Sequence, residues 1–557
     1  MPSSEHTDRR HLLRSGIGAL LSGILTGLAF PSPLGLEVAA FGGLVPILLL
    51  VPSARSAAHL FALAYAFGFG FHGTVNWWVS SWQAEADPYL LLAGILLWLG
   101  HPLFFVVPLA AYWFIARRFS VRAARYSMPF IWCAFEWLHS LGELGYPWLT
   151  LGHSQALTTW WIQVADIAGV WGASFLIVLA NVALLEALEP LAAASARSLR
   201  HILAVLRSAR VLAWLLLLLA ILLLPQGYGR LRVQQLRQLP AQDTLRAVLV
   251  QPDLNPWAKW ERLSPLEQIR FQQRLADSVL ERFPAQLIVW NETAIPISLT
   301  LPEYGAIREG LMQWLATRRA ALLSGMAELE LFPTHAAPRL ARSLPWDPTQ
   351  AYLAYNSAIL LTPEGIAGVH RKIRLTPFAE RFPYAELFGE LSRLVEWNVG
   401  ISAWTPGAQQ TPLLLALPQD TVRLGVAICL ESIYPDFLRT YARQGAHAFV
   451  VISNDAWFDH TPGPLQHYAI ARVRAIETRR PILRCANSGI TAALLPTGEV
   501  LAKLPQYRSA ALAVALPLSS AGSLYGTLVG DALPMGCGAV ALTTLLAAWV
   551  RARRQTP

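Results

Sequence analysis

The chain has 557 residues, of which 54% are apolar and only 14% charged, with a mean hydropathy of +0.40. A soluble protein carries about 25% charged residues, so one ordinary water-soluble domain is excluded and much of the chain is expected in lipid. The net charge is +9, but the basic residues are distributed as membrane topology rather than as one patch, which argues against nucleic-acid binding.

The first apolar run has no small-residue cleavage site after it and further runs follow at once, so no cleavable signal peptide is expected. At about 20 residues per span, seven spans precede residue 230, roughly at 11–30, 35–53, 57–79, 88–116, 122–139, 162–189 and 208–227, and an eighth lies near 533–550. The fourth is long enough to tilt, or to bend at Gly100-His101-Pro102. With this count every basic residue before 230, all of them arginine, falls on one side, while the loops near 31–34, 80–87 and 140–161 carry none. The positive-inside rule then predicts a cytoplasmic N-terminus, residues 230–530 outside, and a cytoplasmic tail holding Arg551, Arg553 and Arg554. Polar groups inside the spans (His72, Asn76, His101, Glu136, His139, Asp166 and Asn181) are costly in hydrocarbon. Hydrogen bonding between helices is the reading that fits them, because no span carries several acids at helical spacing. The loop Gly145-Tyr146-Pro147-Trp148-Leu149 is aromatic and uncharged, as at a membrane interface.

From residue 245 short apolar strands alternate with helical patterns. Strands are predicted at 245–251, 287–291, 321–327, 352–361, 366–373, 422–428, 447–453, 482–486, 490–496 and 499–505, and helices at 265–283, 303–319 and 464–478. Such alternation predicts a layered α/β domain. Residues 331–350, rich in Pro and Arg, read as a loop or insertion. The predicted domains are 1–230 (seven spans), 231–525 (catalytic) and 530–557 (eighth span and tail).

Three stretches carry chemistry. The run Val422 to Ile428 ends abruptly on Cys429, which places a thiol at the carboxyl end of a strand. Leu287 to Trp290 is followed by Asn291 and Glu292, a second strand ending near a carboxylate. His370 to Glu380 contains Lys372, one of only three lysines in a chain that otherwise uses arginine, which suggests a need for a compact ammonium. Glu292, Lys372 and Cys429 thus make a base, a cation and a nucleophile in chain order. Two of them also have a plain reading: Cys429 as a small buried hydrophobe, Lys372 as a surface lysine. The four cysteines, 133, 429, 485 and 537, show no CxxC or Cys/His spacing, so neither a metal site nor a disulfide framework is implied.

These motifs, Trp290 to Pro296, Lys372 to Glu380 and Cys429 to Glu431, together with Ser453 to Phe458, Gln466-His467, Ala471-Arg472 and Asn487 to Thr491, resemble the nitrilase superfamily. Among its branches they look like the apolipoprotein N-acyltransferases of bacterial inner membranes. The resemblance covers nearly the whole chain, spans included. It implies an αββα nitrilase-like sandwich beside the membrane helices, with Glu292, Lys372 and Cys429 as the catalytic set. It further implies an acyl chain passing from a phospholipid, through a Cys429 thioester, to the α-amine of a diacylglyceryl apolipoprotein. No cofactor is implied, and the expected partners are those two lipid substrates and the bilayer, for a monomer. The expected location is the inner membrane, with the catalytic domain periplasmic.

Around the set, Glu380 is expected to orient Lys372 or assist proton transfer, with a structural ion pair as the alternative, and Glu431 to hold a loop. Leu430 is expected to offer its backbone N–H to the oxyanion. Trp260 is matched to an aromatic near the acyl chain, Trp148 to a lipid-contacting lip, and Asn454, Trp457 and His467 to residues around the site. The sequence departs from the family pattern at Ala379, Leu430 and Asn291. Two rival readings remain at this point: a membrane-tethered amidase with the same residues, and a non-catalytic membrane scaffold or transporter.

Overall fold

In a computed structural model, residues 2–80, 88–195, 199–240, 243–257, 263–388, 404–418, 420–519 and 521–555 are described. Helices occupy every stretch read as a span: α1 (Pro2–Leu28), α2 (Val45–Leu50), α3 (Ala57–Asn76), α4 (Pro88–Gly100), α5 (Val106–Arg118), α6 (Val121–His139), α7 (Ala165–Ser195), the short α8 (Leu199–Leu206) and α9 (Ala209–Gln238). A last long helix runs Ala532–Gln555. Among the described residues four helical stretches are long and apolar enough to cross a membrane by length and composition: Leu91–Arg118, Trp161–Ala192, Ala209–Gln238 and Ala532–Arg554. The expected bend in the fourth is present, since α4 and α5 are joined by the 3₁₀ turn His101–Phe105 around Pro102. On α9, Leu212, Leu216, Leu219, Leu223 and Leu224 stay exposed, an outward apolar stripe suited to lipid. That helix continues to Gln238, past the boundary predicted at 230, because Arg232 pairs with Asp166 and Arg237 with Glu499.

Several polar residues of the spans find partners as expected, although the buried Nε2 of His139 has none among the described residues. The Asn181 amide donates to Ala40 O at 2.7 Å and accepts from Leu44 N at 2.9 Å. Glu136 accepts from Leu151 N and Trp132 Nε1, and the His72 and His101 Nδ1 atoms lie 3.1 Å apart. Asp166 instead turns toward the second half of the chain.

That half is built on two sheets. One contains β1 (Asp243–Gln251), β2 (Leu287–Trp290), β3 (Ala321–Pro333), β4 (Arg342–Leu344), β5 (Asp347–Thr362), β6 (Gly365–Arg371) and, paired with β1, β13 (Ala510–Leu518). The other runs β12–β11–β10–β9–β8–β7, from Val500–Lys503, Ala492–Leu494, Ile482–Ala486, Ala448–Ser453, Thr421–Ile428 and Leu413–Ala416. Strands β1, β2 and β3 pair in parallel, as do β8, β9 and β10. Both triplets are buried on both faces, which accounts for their unbroken apolar runs. Alternate residues serve different layers: Leu245, Ala247, Leu249, Leu287 and Val289 join the core between the sheets, while Val248, Val250, Ile288 and Trp290 join α10 (Pro265–Leu280) and α11 (Gly305–Arg318). Ser264 starts α10 with a reciprocal capping box to Glu267. Helices α12 (Pro435–Arg443) and α13 (Gly463–Thr478) belong to the second sheet's side; α14 is the final helix, Ala532–Gln555.

Residues 331–350 are not an irregular loop. They extend the β3–β5 hairpin to a Pro333–Gln350 pair, with β4 alongside. The alternation Glu328-Leu329-Glu330-Leu331 carries the strand, and Arg371 pairs with both glutamates. β7, α12 and β13 are absent from the elements predicted on the sequence. β13 is an antiparallel edge partner of β1 some 260 residues away, a pairing that no local pattern encodes.

Candidate active site

Three strand ends meet between the sheets. Glu292 lies two residues past β2, Lys372 immediately after β6, and Cys429 immediately after β8. All three are at most 8% exposed. Lys372 Nζ donates to Glu380 Oε1 at 2.9 Å and to Glu292 Oε1 at 3.3 Å. Asn356 Nδ2 donates to the same two oxygens, at 2.8 Å to Glu292 and 3.1 Å to Glu380. Glu292 Oε2 accepts the backbone N–H of Asn454 at 2.9 Å, and Glu380 Oε2 accepts from Thr376 N and Oγ1. Four carboxylate oxygens are therefore held by named donors, which gives the catalytic candidates a fixed geometry.

The backbone is strained at the turning points. Cys429 has φ +52°, Thr293 +47° and Phe378 +62°, each a left-handed conformation costing about 1–2 kcal/mol for a residue with Cβ. Such strain persists only where the surroundings over-determine it. Glu431 does this for Cys429: Oε2 accepts from Ile428 N at 2.8 Å and faces His370 Nε2 at 3.0 Å, and Oε1 accepts from Ile373 N at 2.6 Å. One buried carboxylate thus ties the Cys429 turn to the Lys372 strand end. Gly325 on β3 allows the Glu292 turn to approach, since a Cβ there would lie 2.3 Å from Thr293 N.

Electrostatics separate the groups by role. Burial alone would lower the Lys372 ammonium, but Glu292 and Glu380 raise it well above its ordinary value. Burial would raise the Glu380 carboxyl, yet Lys372 and the Thr376 donors hold it below the usual range. Burial and then the Glu292 charge push the Cys429 thiol up, with Lys372 opposing. The resting site holds a neutral thiol beside an ion-paired lysine, so attack on a carbonyl requires a base to take the thiol proton during the step.

Of the other predicted residues, Leu430 is buried beside the nucleophile. Asn454 supports Glu292 through its backbone, while its side-chain Oδ1 accepts from Asn487 at 2.9 Å. Trp457 stacks edge-on to Trp257 with ring centroids 5.0 Å apart. Trp148 is not an exposed lip: it is 1% exposed, packs on Trp78 and the His467 ring, and donates to Gln466 Oε1 at 2.8 Å. Its large apolar ring gains more by filling the seam between the helices and the second sheet. Trp260 lies outside the described residues.

A family model for the apolipoprotein N-acyltransferase N-terminal domain matches residues 22–183, and one for carbon-nitrogen hydrolases matches residues 246–525. The apolipoprotein N-acyltransferase of Chlorobaculum tepidum is 33% identical over 546 residues, covering 96% of each chain. That of Geobacter metallireducens is 30% identical over 558 residues, 99% of this chain and 98% of the relative. The chain belongs to the apolipoprotein N-acyltransferase family. It is an acyltransferase with a nitrilase-type αββα domain and a helical membrane region. Among solved structures, Saccharomyces cerevisiae Nit3, of the nitrilase superfamily, aligns with 16% identity and a TM-score of 0.36 over 54% of this chain and 96% of that one.

Sequence reasoning did not find Asn356, which bridges both glutamates of this acyltransferase, or His370, which faces Glu431. Asn356 sits mid-strand in β5, and its place opposite Glu292 follows only from pairing with β3. Asp455, in the turn just after β9, and Arg484, on β10, lie 2.7 Å apart and are fully buried; the Ser453 to Phe458 motif contains Asp455, but nothing local names Arg484 as its partner.

Proposed function

We propose that this acyltransferase moves an acyl chain from a phospholipid to the N-terminal amine of a diacylglyceryl-cysteine apolipoprotein, through a thioester on Cys429. Glu292 takes the thiol proton as Sγ attacks the ester carbonyl, and the proton passes to the departing lysophospholipid alkoxide. The oxyanion that forms is met by the Lys372 ammonium and the Leu430 N–H. In the second half Glu292 accepts a proton from the attacking amine. As the C–S bond breaks and the amide forms, Glu292 returns that proton to the departing Sγ, which restores both the thiol and the carboxylate. Glu380 keeps Lys372 charged and aimed, and Glu431 braces the turn.

One observation carries this reading: the turn that bears Cys429 packs on α13, and α13 is bonded to the helical half through His153, Ala156 and Val170. A small-amide hydrolase has no need of that attachment, whereas two lipid-anchored substrates require the thiol at a bilayer surface. The organisation that fits is seven spans in residues 1–230, α9 leading on into a periplasmic catalytic domain to about 525, and an eighth span with a cytoplasmic tail. Trp457, packed on Trp257, is then the aromatic residue nearest the substrate's approach in a monomeric inner-membrane enzyme.

Intact-mass spectrometry of the protein purified from membranes, wild type beside Cys429→Ala, is the test. An added acyl mass in wild type, absent from the variant and discharged by a diacylated lipopeptide, is expected. Ammonia release from a small amide without any acyl adduct would sink the proposal in favour of an amidase.

A further inference from the structure

Directly behind the nucleophile runs a line of buried polar groups that the two half-reactions leave unused. Ser432 Oγ donates to the carbonyl of Cys429 at 2.9 Å. His467 Nε2 lies 3.1 Å from that same carbonyl and 2.9 Å from Ser432 Oγ. On its far side, His467 Nδ1 is 2.9 Å from Asp455 Oδ1 and 3.1 Å from Arg484. Asp455 also accepts from Arg484 at 2.7 Å and from Ser453 at 2.5 Å. Ser432, His467, Asp455 and Arg484 are all fully buried.

The order Ser432–His467–Asp455 has the connectivity of a hydrolase triad, but its hydroxyl points at a backbone carbonyl and is enclosed. The line therefore acts on the peptide unit between Cys429 and Leu430. A trans peptide is one rigid plane whose C=O and N–H point in opposite directions. Whatever holds the Cys429 carbonyl also aims the Leu430 N–H. A carbonyl can only accept, so His467 meets it with a proton on Nε2. The left-handed φ of Cys429 is costly for a residue with Cβ, so this turn persists only where partners such as these hold the peptide plane that follows it.

We propose that His467 is a positioning residue for acyl transfer: held by Asp455 and Arg484, and together with Ser432, it clamps the Cys429 carbonyl and so points the Leu430 N–H at the oxyanion. The inference rests on the acyl-thioester reading above. It separates two reactions of the same thiol. Attack on an ester carbonyl builds an oxyanion and needs the aimed N–H; alkylation by iodoacetamide builds none.

The test uses the full chain in phosphatidylethanolamine–phosphatidylglycerol nanodiscs, following Cys429 acylation by intact mass and Cys429 alkylation by iodoacetamide side by side. In His467→Leu, acylation should fall by about 10²–10³-fold, the range for a lost oxyanion-hole donor, while alkylation changes by less than about threefold. His467→Gln, whose amide can still donate to the carbonyl, should recover at least about tenfold of the acylation rate. Ser432→Ala should split the two reactions in the same direction by about tenfold, and serves where His467→Leu does not fold. Equal losses of acylation and alkylation in the folded variants, or unchanged acylation, would overturn the clamp. Absence of any adduct on wild type would instead refute the thioester itself and remove the basis of the clamp.

Discussion

Glu380 and Lys372 each owe their charge to the other. The Glu380 carboxyl is held below its ordinary range by Lys372 and the Thr376 donors against the opposing effect of burial, so its contribution to stability is present above the ordinary glutamate value of about 4.3. That contribution is lost as pH falls through the lower folded value. Lys372 is raised, so its contribution is complete below about 10.4 and disappears only at a still higher pH. Glu380→Gln should therefore melt lower than wild type at pH 7, by about 1.5–3 kcal/mol for a charged hydrogen bond. The difference should close as pH drops below about 4.3. A gap in melting temperature that persists unchanged down to pH 3 would contradict the ion pair.

At the scale of the element, α13 explains why a soluble-type sheet cannot be lifted off the helices. Nearly every residue of Gly463–Thr478 is buried, including Arg472, Arg474 and Glu477. Their partners come from the other half of the chain: Arg474 Nη2 lies 3.0 Å from His153 Nε2, Arg472 donates to Ala156 O, and Glu477 accepts from Val170 N. Just beyond the helix, Arg479 pairs with Asp166 at 2.8 Å, and Asp166 also accepts from Tyr228 at 2.6 Å. Removing one partner of a buried pair leaves an uncompensated charge, at about 3–5 kcal/mol. Asp166→Asn should lower the melting temperature in detergent accordingly, and adding Arg479→Gln should restore part of the loss in a double-mutant cycle. Strict additivity of the two substitutions would show that this contact does not join the halves. Gly169, at the kink in α7 with φ +66°, lies where a Cβ would meet the Tyr525 ring at 2.5 Å.

Over the whole molecule, α13 joins the helices to the sandwich, and the Cys429 turn lies against that helix. The four cysteines are all buried, and in a Cys429→Ala background, which removes the reactive thiol, single introduced cysteines report topology. With the proposed arrangement, Ala336→Cys on the hairpin tip should react with an impermeant maleimide added from the periplasmic side. Arg118→Cys, on the arginine-bearing side, should react only after the inner membrane is opened. The reverse pattern would invert the chain and place the thiol away from periplasmic lipoproteins.

The sequence by itself determined what periodicity, composition and chain order can carry. Apolar lengths marked the helices, arginine placement suggested their orientation, and strands ending just before Glu292 and at Cys429 marked two chemical groups, because a buried parallel strand must be apolar and must stop where polar groups begin; the scarcity of lysine marked Lys372. Tertiary structure alone decided the rest. Glu292 and Lys372 are 80 residues apart in sequence and 3.3 Å apart in space; Asn356 became the shared donor to Glu292 and Glu380 through strand register, and His467 met the Cys429 carbonyl because α13 packs on the turn that follows β8. The ends of residues 331–350 became paired strand around a short tip at 334–341, because Arg371 and β5 supply partners that local composition does not name. Long-range pairing sets such contacts, and a local pattern records which side chains are available but not which of them will meet.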